Sequence, residues 1–218
     1  MNDVIITENL TKRFGETIIL KDVNLRISEG SIVGVVGRNG SGKTILLKMI
    51  CGLMLPSSGS VTVHGQRIGV DRDFAADTGV LIETPEFLPT QSGIQCLQSL
   101  SVITGKKKKE ELKKLLMLVG LDPESKKPVG KYSLGMRQRL GIAQAILDNP
   151  SLLLLDEPMN GLDKHGVQDM RRLLSNLRNS GKTIVLASHI AEDIALLCDT
   201  VYEVDGGMVT ERVKKQEQ

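Results

Sequence analysis

The eight residues "GRNGSGKT" at positions 37–44, with the sequence on either side of them, decide the fold of this chain. They fit the pattern G-x-x-x-x-G-K-[ST], a loop whose backbone N–H groups surround a phosphate. The preceding run "SIVGVVG" (31–37) is almost continuously apolar, which is typical of a strand buried on both faces, and "KTILLKMIC" (43–51) has the pattern of a helix. A strand, a glycine-rich loop and a helix in this order predict a P-loop in an α/β fold.

The loop carries the groups that a nucleoside triphosphate and its metal ion require. Gly40 and Gly42 let the backbone turn so that its N–H groups face the β-phosphate. The Lys43 ammonium neutralises the β and γ oxygens, and the Thr44 hydroxyl coordinates Mg²⁺. We therefore expect the nucleotide to contact the whole loop: Gly37, Arg38, Asn39, Gly40, Ser41, Gly42, Lys43 and Thr44.

A second, independent element is the run "SLLLLDEP" at 151–158, in which four leucines lead to two carboxylates. Ligands of open α/β sheets bind at the carboxyl ends of the strands, which is where Asp156 is expected. Asp156 would hold Mg²⁺ through water, and Glu157 would orient or deprotonate an attacking water molecule. The alternative for "DEP" is a polar turn at a strand end, which the phosphate loop upstream disfavours.

The rest of the chain predicts three parts of one α/β fold. In "KDVNLRI" (21–27) apolar and polar residues alternate, as in a half-buried antiparallel strand. From about 84 to 148 the pattern is mostly helical, and buried-strand patterns return in "SLLLLDEP" and "KTIVLASH" (182–189). Strands that alternate with helices indicate a parallel sheet covered by helices. We expect one domain over residues 1–218: a mixed sheet, an N-terminal antiparallel β part and a helical subdomain inserted at about 84–148.

Composition narrows the class of protein. A formal net charge of +2 provides no broad basic surface for nucleic acid, and 2% aromatic residues without tryptophan argue against a protein that stacks single-stranded bases. The 3 cysteines are far apart in the chain and odd in number, so no disulfide framework or metal knuckle is indicated. No apolar run approaches the roughly 18 residues of a membrane span. A cytosolic protein without a nucleic-acid partner is the expectation.

With these motifs in order, the chain resembles the ATP-binding subunit of an ABC transporter. The resemblance rests on the P-loop, "YSLGMRQRL" (132–140), "LLLLDEPMNGLD" (152–163) and "LASH" (186–189), and it extends over essentially the whole chain. The family's signature usually reads LSGGQ, of which this chain keeps Ser133 and the second glycine, Gly135. The resemblance implies the fold of an ABC ATPase, a P-loop NTPase with an inserted helical subdomain.

The signature implies that a second copy of the chain is needed. In the family two subunits pack head to tail, and the signature of one caps the γ-phosphate held by the other. The resemblance therefore places Ser133 and Gly135 against the partner's ATP. A serine that only caps a helix is the plainer interpretation, and it is compatible, because capping and anion binding use the same helix terminus.

Other roles follow from the resemblance one residue at a time. Phe14, in "KRFG", matches the aromatic residue that stacks on adenine, and His189 matches the histidine that contacts the γ-phosphate. The resemblance makes Lys43, Glu157 and His189 the catalytic residues. The "NGLD" stretch at 160–163 matches the loop that links the two sites of the dimer.

Glu83 is a departure from the family pattern. It stands in "VLIETPEFLP" (80–89) where the family usually has a glutamine that reaches Mg²⁺ and the attacking water. The combination of "LIETP" and "YSLGM" resembles the ATPases of bacitracin and lantibiotic self-protection exporters. The implied metal ligands are Thr44, Asp156 and Glu83, and the alternative for Glu83 is a solvated strand end.

The resemblance implies a subunit that hydrolyses ATP with Mg²⁺ to power a transporter, with an antimicrobial peptide or related compound as the exported substrate. It would bind a separate transmembrane permease at the inner face of the cell membrane through the segment 84–100, in which Phe87, Leu88 and Pro89 lie where the family docks a coupling helix. The competing hypothesis is a soluble ABC-type ATPase that acts on the ribosome or on DNA. A degenerate, non-hydrolysing regulator is disfavoured by the intact Lys43 and Glu157.

Overall fold

The computed structural model describes residues 2–105 and 107–212. The helices are α1 (Lys43–Cys51), α2 (Gly93–Thr104), α3 (Lys109–Leu118), α4 (Leu134–Ala145), α5 (Lys164–Asn179) and α6 (Ala191–Leu197). The strands are β1 (Asp3–Phe14), β2 (Thr17–Ser28), β3 (Ile32–Val36), β4 (Ser58–Val63), β5 (Gln66–Arg67), β6 (Thr78–Leu81), β7 (Leu152–Asp156), β8 (Thr183–Ser188), β9 (Thr200–Asp205) and β10 (Met208–Arg212). None of the helices in this part of the chain is long and apolar enough to cross a membrane.

The strands form an antiparallel sheet and a mixed sheet. The first has the order β2-β1-β4-β5, and the second has the order β10-β9-β3-β8-β7-β6. In the second sheet β9, β3, β8, β7 and β6 are parallel, whereas β10 is antiparallel to β9. The expected α/β fold with an N-terminal antiparallel part is confirmed.

The central strands β3, β7 and β8 of the mixed sheet are buried on both faces and are apolar at most positions. On β7 the side chains of Leu153 and Leu155 pack in the core beneath α2 to α6, whereas Leu152 and Leu154 pack in the core formed with α1 and the antiparallel sheet. Successive residues of a strand point to opposite faces, so a run of four leucines supplies both cores. In β2, which has one solvated face, apolar and polar residues alternate as the sequence predicts.

The segment between β6 and β7 is mostly helical, as expected. It contains α2, α3 and α4 and a short 3₁₀ turn at Val129–Lys131. Helix α2 ends at Gly105, whose φ is +125°, and α3 ends at Val119, one residue before Gly120. Leucines from the three helices share the core beneath the mixed sheet, so packing against the sheet holds this helical layer in place.

The register of the parallel strands brings four chain segments to one edge of the sheet. Val36 of β3 pairs with Ser188 of β8, and Asp156 of β7 pairs with Ala187 of β8. The residues that follow these strand ends therefore lie side by side. They are the P-loop, His189 and Glu157, with the segment after β6 next to them.

Candidate active site

The P-loop connects β3 to α1 and curves around the side chain of Lys43. Gly40 and Gly42 have φ values of +79° and +109°, which residues with a Cβ rarely adopt. The Lys43 ammonium is 6% exposed and donates hydrogen bonds to the carbonyls of Gly37 (2.8 Å) and Arg38 (3.2 Å). The loop lines an open cavity of about 280 Å³ together with Asp156 and Glu157.

Asp156 lies deep in this cavity, beside the first turn of α1. Its carboxylate accepts a 2.6 Å hydrogen bond from the Thr44 hydroxyl, and the side chain is 6% exposed. Burial raises the pKa of Asp156 above its ordinary value, and the neighbouring Glu157 charge adds to the rise, while the hydrogen bond from Thr44 opposes it. The site therefore contains a buried carboxylate for which a cation would be a favourable partner.

Glu157 sits between two nitrogen atoms at the mouth of the P-loop. Its carboxylate oxygen is 2.9 Å from Nδ1 of His189 and 4.0 Å from Nζ of Lys43. Its backbone has a φ of +49°, a left-handed conformation that is uncommon for a residue with a side chain. Strained backbone of this kind concentrates at functional sites, because the surrounding structure has to hold it in place.

The residues fit a triphosphate with a divalent cation. Within the residues that the structure describes, the Ser41 hydroxyl oxygen is buried without a hydrogen-bond partner, so a phosphate oxygen can satisfy it. The Thr44 hydroxyl and the Asp156 carboxylate are oxygen ligands of the kind that Mg²⁺ prefers. The described residues hold no cluster of three or more His, Cys, Asp or Glu side chains suited to a metal, and Mg²⁺ commonly uses one or two carboxylates together with substrate phosphates.

Glu83 lies next to this centre but its side chain has a different contact. The strand β6 ends at Leu81, and Glu83 has a left-handed φ of +62°, which is not a strand conformation. The backbone of Glu83 opposes the rise in the pKa of Asp156, and the Glu83 carboxylate is 2.6 Å from Nζ of Lys48. The Glu83 side chain is 63% exposed. Its place as a metal ligand stays a prediction.

Two of the expected nucleotide contacts lie away from the P-loop cavity. Phe14 ends β1, half exposed, with Nζ of Lys12 5.1 Å from the ring centroid. Ser133 is the N-cap of α4, and its Oγ accepts a 3.2 Å hydrogen bond from the N–H of Met136. Neither residue lines the cavity. The exposed ring of Phe14 and the exposed N-terminus of α4 are therefore available for contacts outside it.

Gly135 is buried at the same helix terminus, in contact with the "NGLD" loop. A Cβ placed on Gly135 would lie 2.7 Å from the carbonyl oxygen of Gly161. The chain therefore requires glycine at this position for packing within one subunit, whatever the residue contacts in a second copy.

The sequence did not identify two residues at the site. Lys48, which pairs with Glu83, lies four residues after Thr44 and so on the same face of α1, and this spacing could have indicated it. Gln138 of α4 is 4% exposed and donates a 3.0 Å hydrogen bond from Nε2 to the carbonyl oxygen of Glu157. Nothing in the local sequence signals that contact, because it joins segments 19 residues apart.

Comparison with known proteins identifies the family. The ABC transporter family matches residues 20–160. The bacitracin transport ATP-binding protein BcrA of Enterococcus faecalis is 41% identical over 100% of this chain and 71% of its own length. The lantibiotic transport ATP-binding protein SrtF of Streptococcus pyogenes is 35% identical over 94% of this chain and 89% of its own.

Solved structures agree with the sequence matches. A dimeric bacterial ABC transporter cassette superposes with a TM-score of 0.86 at 25% identity, covering 97% of this chain and 99% of the other. A dimeric post-hydrolysis state of an ATP-binding cassette, bound to ADP and Pi, has a TM-score of 0.85 at 26% identity with the same coverage. The resemblance seen in the sequence is confirmed, and an ATPase uncoupled from transport is not favoured. The chain belongs to the ABC transporter family and is an ATP-binding subunit, the part of the transporter that hydrolyses ATP.

Proposed function

We propose that this subunit powers the export of an antimicrobial peptide or a related compound through a separate permease. The observation that carries the catalytic part is the position of the Glu157 carboxylate, 2.9 Å from His189 and 4.0 Å from Lys43 at the mouth of the P-loop. The export part is supported by "LIETP" and "YSLGM" in the sequence and by relatives named for bacitracin and lantibiotic transport.

In the proposed mechanism the P-loop residues 37–44 bind the phosphates. Lys43, whose ammonium now contacts two loop carbonyls, moves its hydrogen bonds to the β and γ oxygens when ATP enters. Thr44 and Asp156 would hold Mg²⁺, which would neutralise part of the negative charge of the phosphates. Glu157 orients the attacking water and accepts its proton, and His189 contacts the γ-phosphate.

Glu83 is proposed as a third oxygen ligand of the metal. Its backbone acts on the carboxyl of Asp156 and opposes the rise in the pKa of that group, so Glu83 lies beside the proposed metal site. To reach the metal, its carboxylate exchanges the ion pair with Lys48 for the cation. That exchange costs little, because an ion pair with one partner 63% exposed is largely screened by water.

The second copy completes each site in this proposal. Ser133 is exposed at the N-terminus of α4, which favours an anion, and Gly135 is buried beside it. Both residues lie apart from the cavity of their own chain. Head-to-tail packing of two copies would place this terminus against the partner's γ-phosphate. The dimeric cassettes among the solved structures support this arrangement. We also propose that residues 1–218 act as one nucleotide-binding domain, with the helical subdomain at about 84–148.

The permease is proposed to bind where the helical layer begins. Leu88 and Pro89 are exposed just before α2, and Phe87 is half-buried against the core. An apolar, exposed segment joined to a packed aromatic residue suits a helix from another protein. This contact would hold the subunit at the cytoplasmic face of the membrane.

Light scattering of a Glu157→Gln variant tests the two-copy site. Blocking hydrolysis should trap a dimer in Mg-ATP, and Ser133→Arg should abolish that dimer because a large cation fills the phosphate position. The matched control is Ser99→Arg on α2, an exposed serine that the proposal does not use. A Mg-ATP dimer that survives Ser133→Arg would contradict the arrangement.

Cell sensitivity tests the export part. Replacing the gene by a Lys43→Ala variant should make its host more sensitive to bacitracin-like or lantibiotic peptides, because a subunit that cannot bind phosphate cannot power export. Sensitivity to an antibiotic that acts inside the cell provides the control. Unchanged peptide sensitivity in the variant strain would argue against this class of substrate.

A further inference from the structure

Gln138 is a buried polar side chain that the mechanism above does not use. It is the fifth residue of α4, is 4% exposed, and points its amide group at the end of β7. There Nε2 donates a 3.0 Å hydrogen bond to the carbonyl oxygen of Glu157. Burying an amide costs free energy unless it is hydrogen-bonded, and an apolar side chain would pack in this position without that requirement. The buried amide of Gln138 therefore indicates a role other than packing.

The Glu157 backbone supplies that reason. Its φ of +49° is left-handed, a conformation that persists only where the surroundings determine it. The N–H of Glu157 donates to the carbonyl of Ala187 at 2.9 Å. Its carbonyl accepts one hydrogen bond from Gln138 and another, at 3.0 Å, from the N–H of Asn160. Of these three partners, Ala187 and Asn160 contribute backbone groups, whereas Gln138 contributes a side chain, which comes from α4.

The backbone conformation of Glu157 determines where its carboxylate points. The carboxylate now lies 2.9 Å from Nδ1 of His189, at the mouth of the P-loop. Because the N–H and the carbonyl of Glu157 are both hydrogen-bonded, the two peptide planes that flank its Cα are held, and with them the direction of the Cα–Cβ bond. We propose that Gln138 is a positioning residue for ATP hydrolysis: its amide holds the Glu157 peptide in the left-handed conformation that aims the carboxylate into the P-loop site. The inference rests on the proposed role of Glu157.

The same hydrogen bond joins two parts of the molecule. Helix α4 begins just after Ser133, five residues and about 7.5 Å along the helix axis from Gln138. Gln138 thus connects the helix that is proposed to face a second copy to the glutamate of its own site.

The test removes the hydrogen-bond donor of Gln138 and keeps the approximate size of its side chain. Gln138→Met has a similar length but cannot donate, and Gln138→Leu, which also cannot donate, is a second variant if the first folds poorly. The control is Gln144→Met, an exposed glutamine on the same helix. We expect kcat to fall at least roughly fivefold in both Gln138 variants, as for the loss of one hydrogen bond. The KM for Mg-ATP should stay within about twofold of the parent, because the P-loop contacts are intact.

Two further readouts separate positioning from general damage. The Asn160 amide hydrogen is bonded to the same carbonyl of Glu157. Its exchange, followed by NMR, should become about tenfold faster in Gln138→Met and stay unchanged in Gln144→Met, because that carbonyl is released locally. In a Glu157→Gln background, Gln138→Met should change the residual hydrolysis by less than about twofold, since the group that it positions is gone.

The results distinguish a failure of the positioning role of Gln138 from a failure of the proposed role of Glu157. Parent-like kcat and parent-like amide exchange in Gln138→Met would overturn the inference while Glu157→Gln still abolishes hydrolysis. An equal loss of activity in both backgrounds would also overturn it, by indicating damage unrelated to Glu157. If Glu157→Gln itself retained the parent rate, the proposed function of Glu157 would fail, and the positioning role would fail with it.

Discussion

Adding one methyl group at Gly135 should destabilise a single subunit. The new Cβ would lie 2.7 Å from the carbonyl oxygen of Gly161 and 3.3 Å from a methyl group of Leu162. Heavy atoms in favourable contact are about 3.5–4.0 Å apart, so either the start of α4 or the "NGLD" loop has to move. The loop has little freedom, because the N–H of Leu162 is bonded to the carbonyl of Met159.

Two effects of opposite sign determine the size of the change. Overpacking a tight contact costs about 1–3 kcal/mol. Replacing glycine by alanine in a helix contributes up to about 1 kcal/mol of stabilisation, and less near the helix end. The net destabilisation expected for Gly135→Ala is about 1 kcal/mol, which lowers the midpoint of thermal unfolding by about 2–4 °C in a chain of this length.

The assay is thermal unfolding of the nucleotide-free protein, followed by circular dichroism at a concentration where it is monomeric. The control is Gln144→Ala on the same helix, where the side chain is exposed and the substitution removes atoms instead of adding them. The control should be neutral or slightly stabilising. A Gly135→Ala variant as stable as the parent would refute the argument that packing against Gly161 requires this glycine.

Three further substitutions test the site. Asp156→Asn should be more stable than the parent in Mg²⁺-free buffer, because burial raises the pKa of Asp156. The stability that this group contributes is complete at low pH and is lost as pH rises through the raised pKa. The difference in unfolding free energy should therefore grow as pH rises above about 4, the ordinary pKa of an aspartate, and a constant difference would contradict the prediction. Glu83→Gln should raise the Mg²⁺ concentration for half-maximal hydrolysis roughly fivefold, as for the loss of about 1 kcal/mol, and identical Mg²⁺ titrations would count against Glu83 as a ligand. Phe14→Ala should weaken binding of a fluorescent ATP analogue roughly tenfold through lost base stacking, whereas Phe14→Tyr should bind like the parent.

Much of the fold could be predicted because its signals are local. The P-loop is one continuous stretch whose glycines permit its backbone conformation, and the structure has it between β3 and α1 as the sequence indicates. The four leucines before Asp156 predict a strand buried on both faces, and β7 contributes to both cores. The helical layer between residues 84 and 148 follows from helical periodicity and from helix ends at or next to glycine.

The site was predicted less completely. The sequence singled out Lys43, Asp156, Glu157 and His189, and the structure brings them together at one edge of the sheet. It did not indicate that the carboxylate of Glu83 would contact Lys48. Side-chain partners from different elements depend on the register and orientation of those elements, which no local pattern encodes.

The sequence by itself determined the phosphate loop, the alternation of strands and helices and the candidate residues Lys43, Asp156, Glu157 and His189, because each of these depends on residues close together in the chain. Only the tertiary structure decided how they meet. The pairing of β3, β7 and β8 aligns the strand ends, and the left-handed backbones of Glu83 and Glu157 direct their carboxylates. The bond from Gln138 joins α4 to one of these backbones. Such contacts form only when distant segments are packed around a common core, since burial holds the strained backbone and aligns its partners.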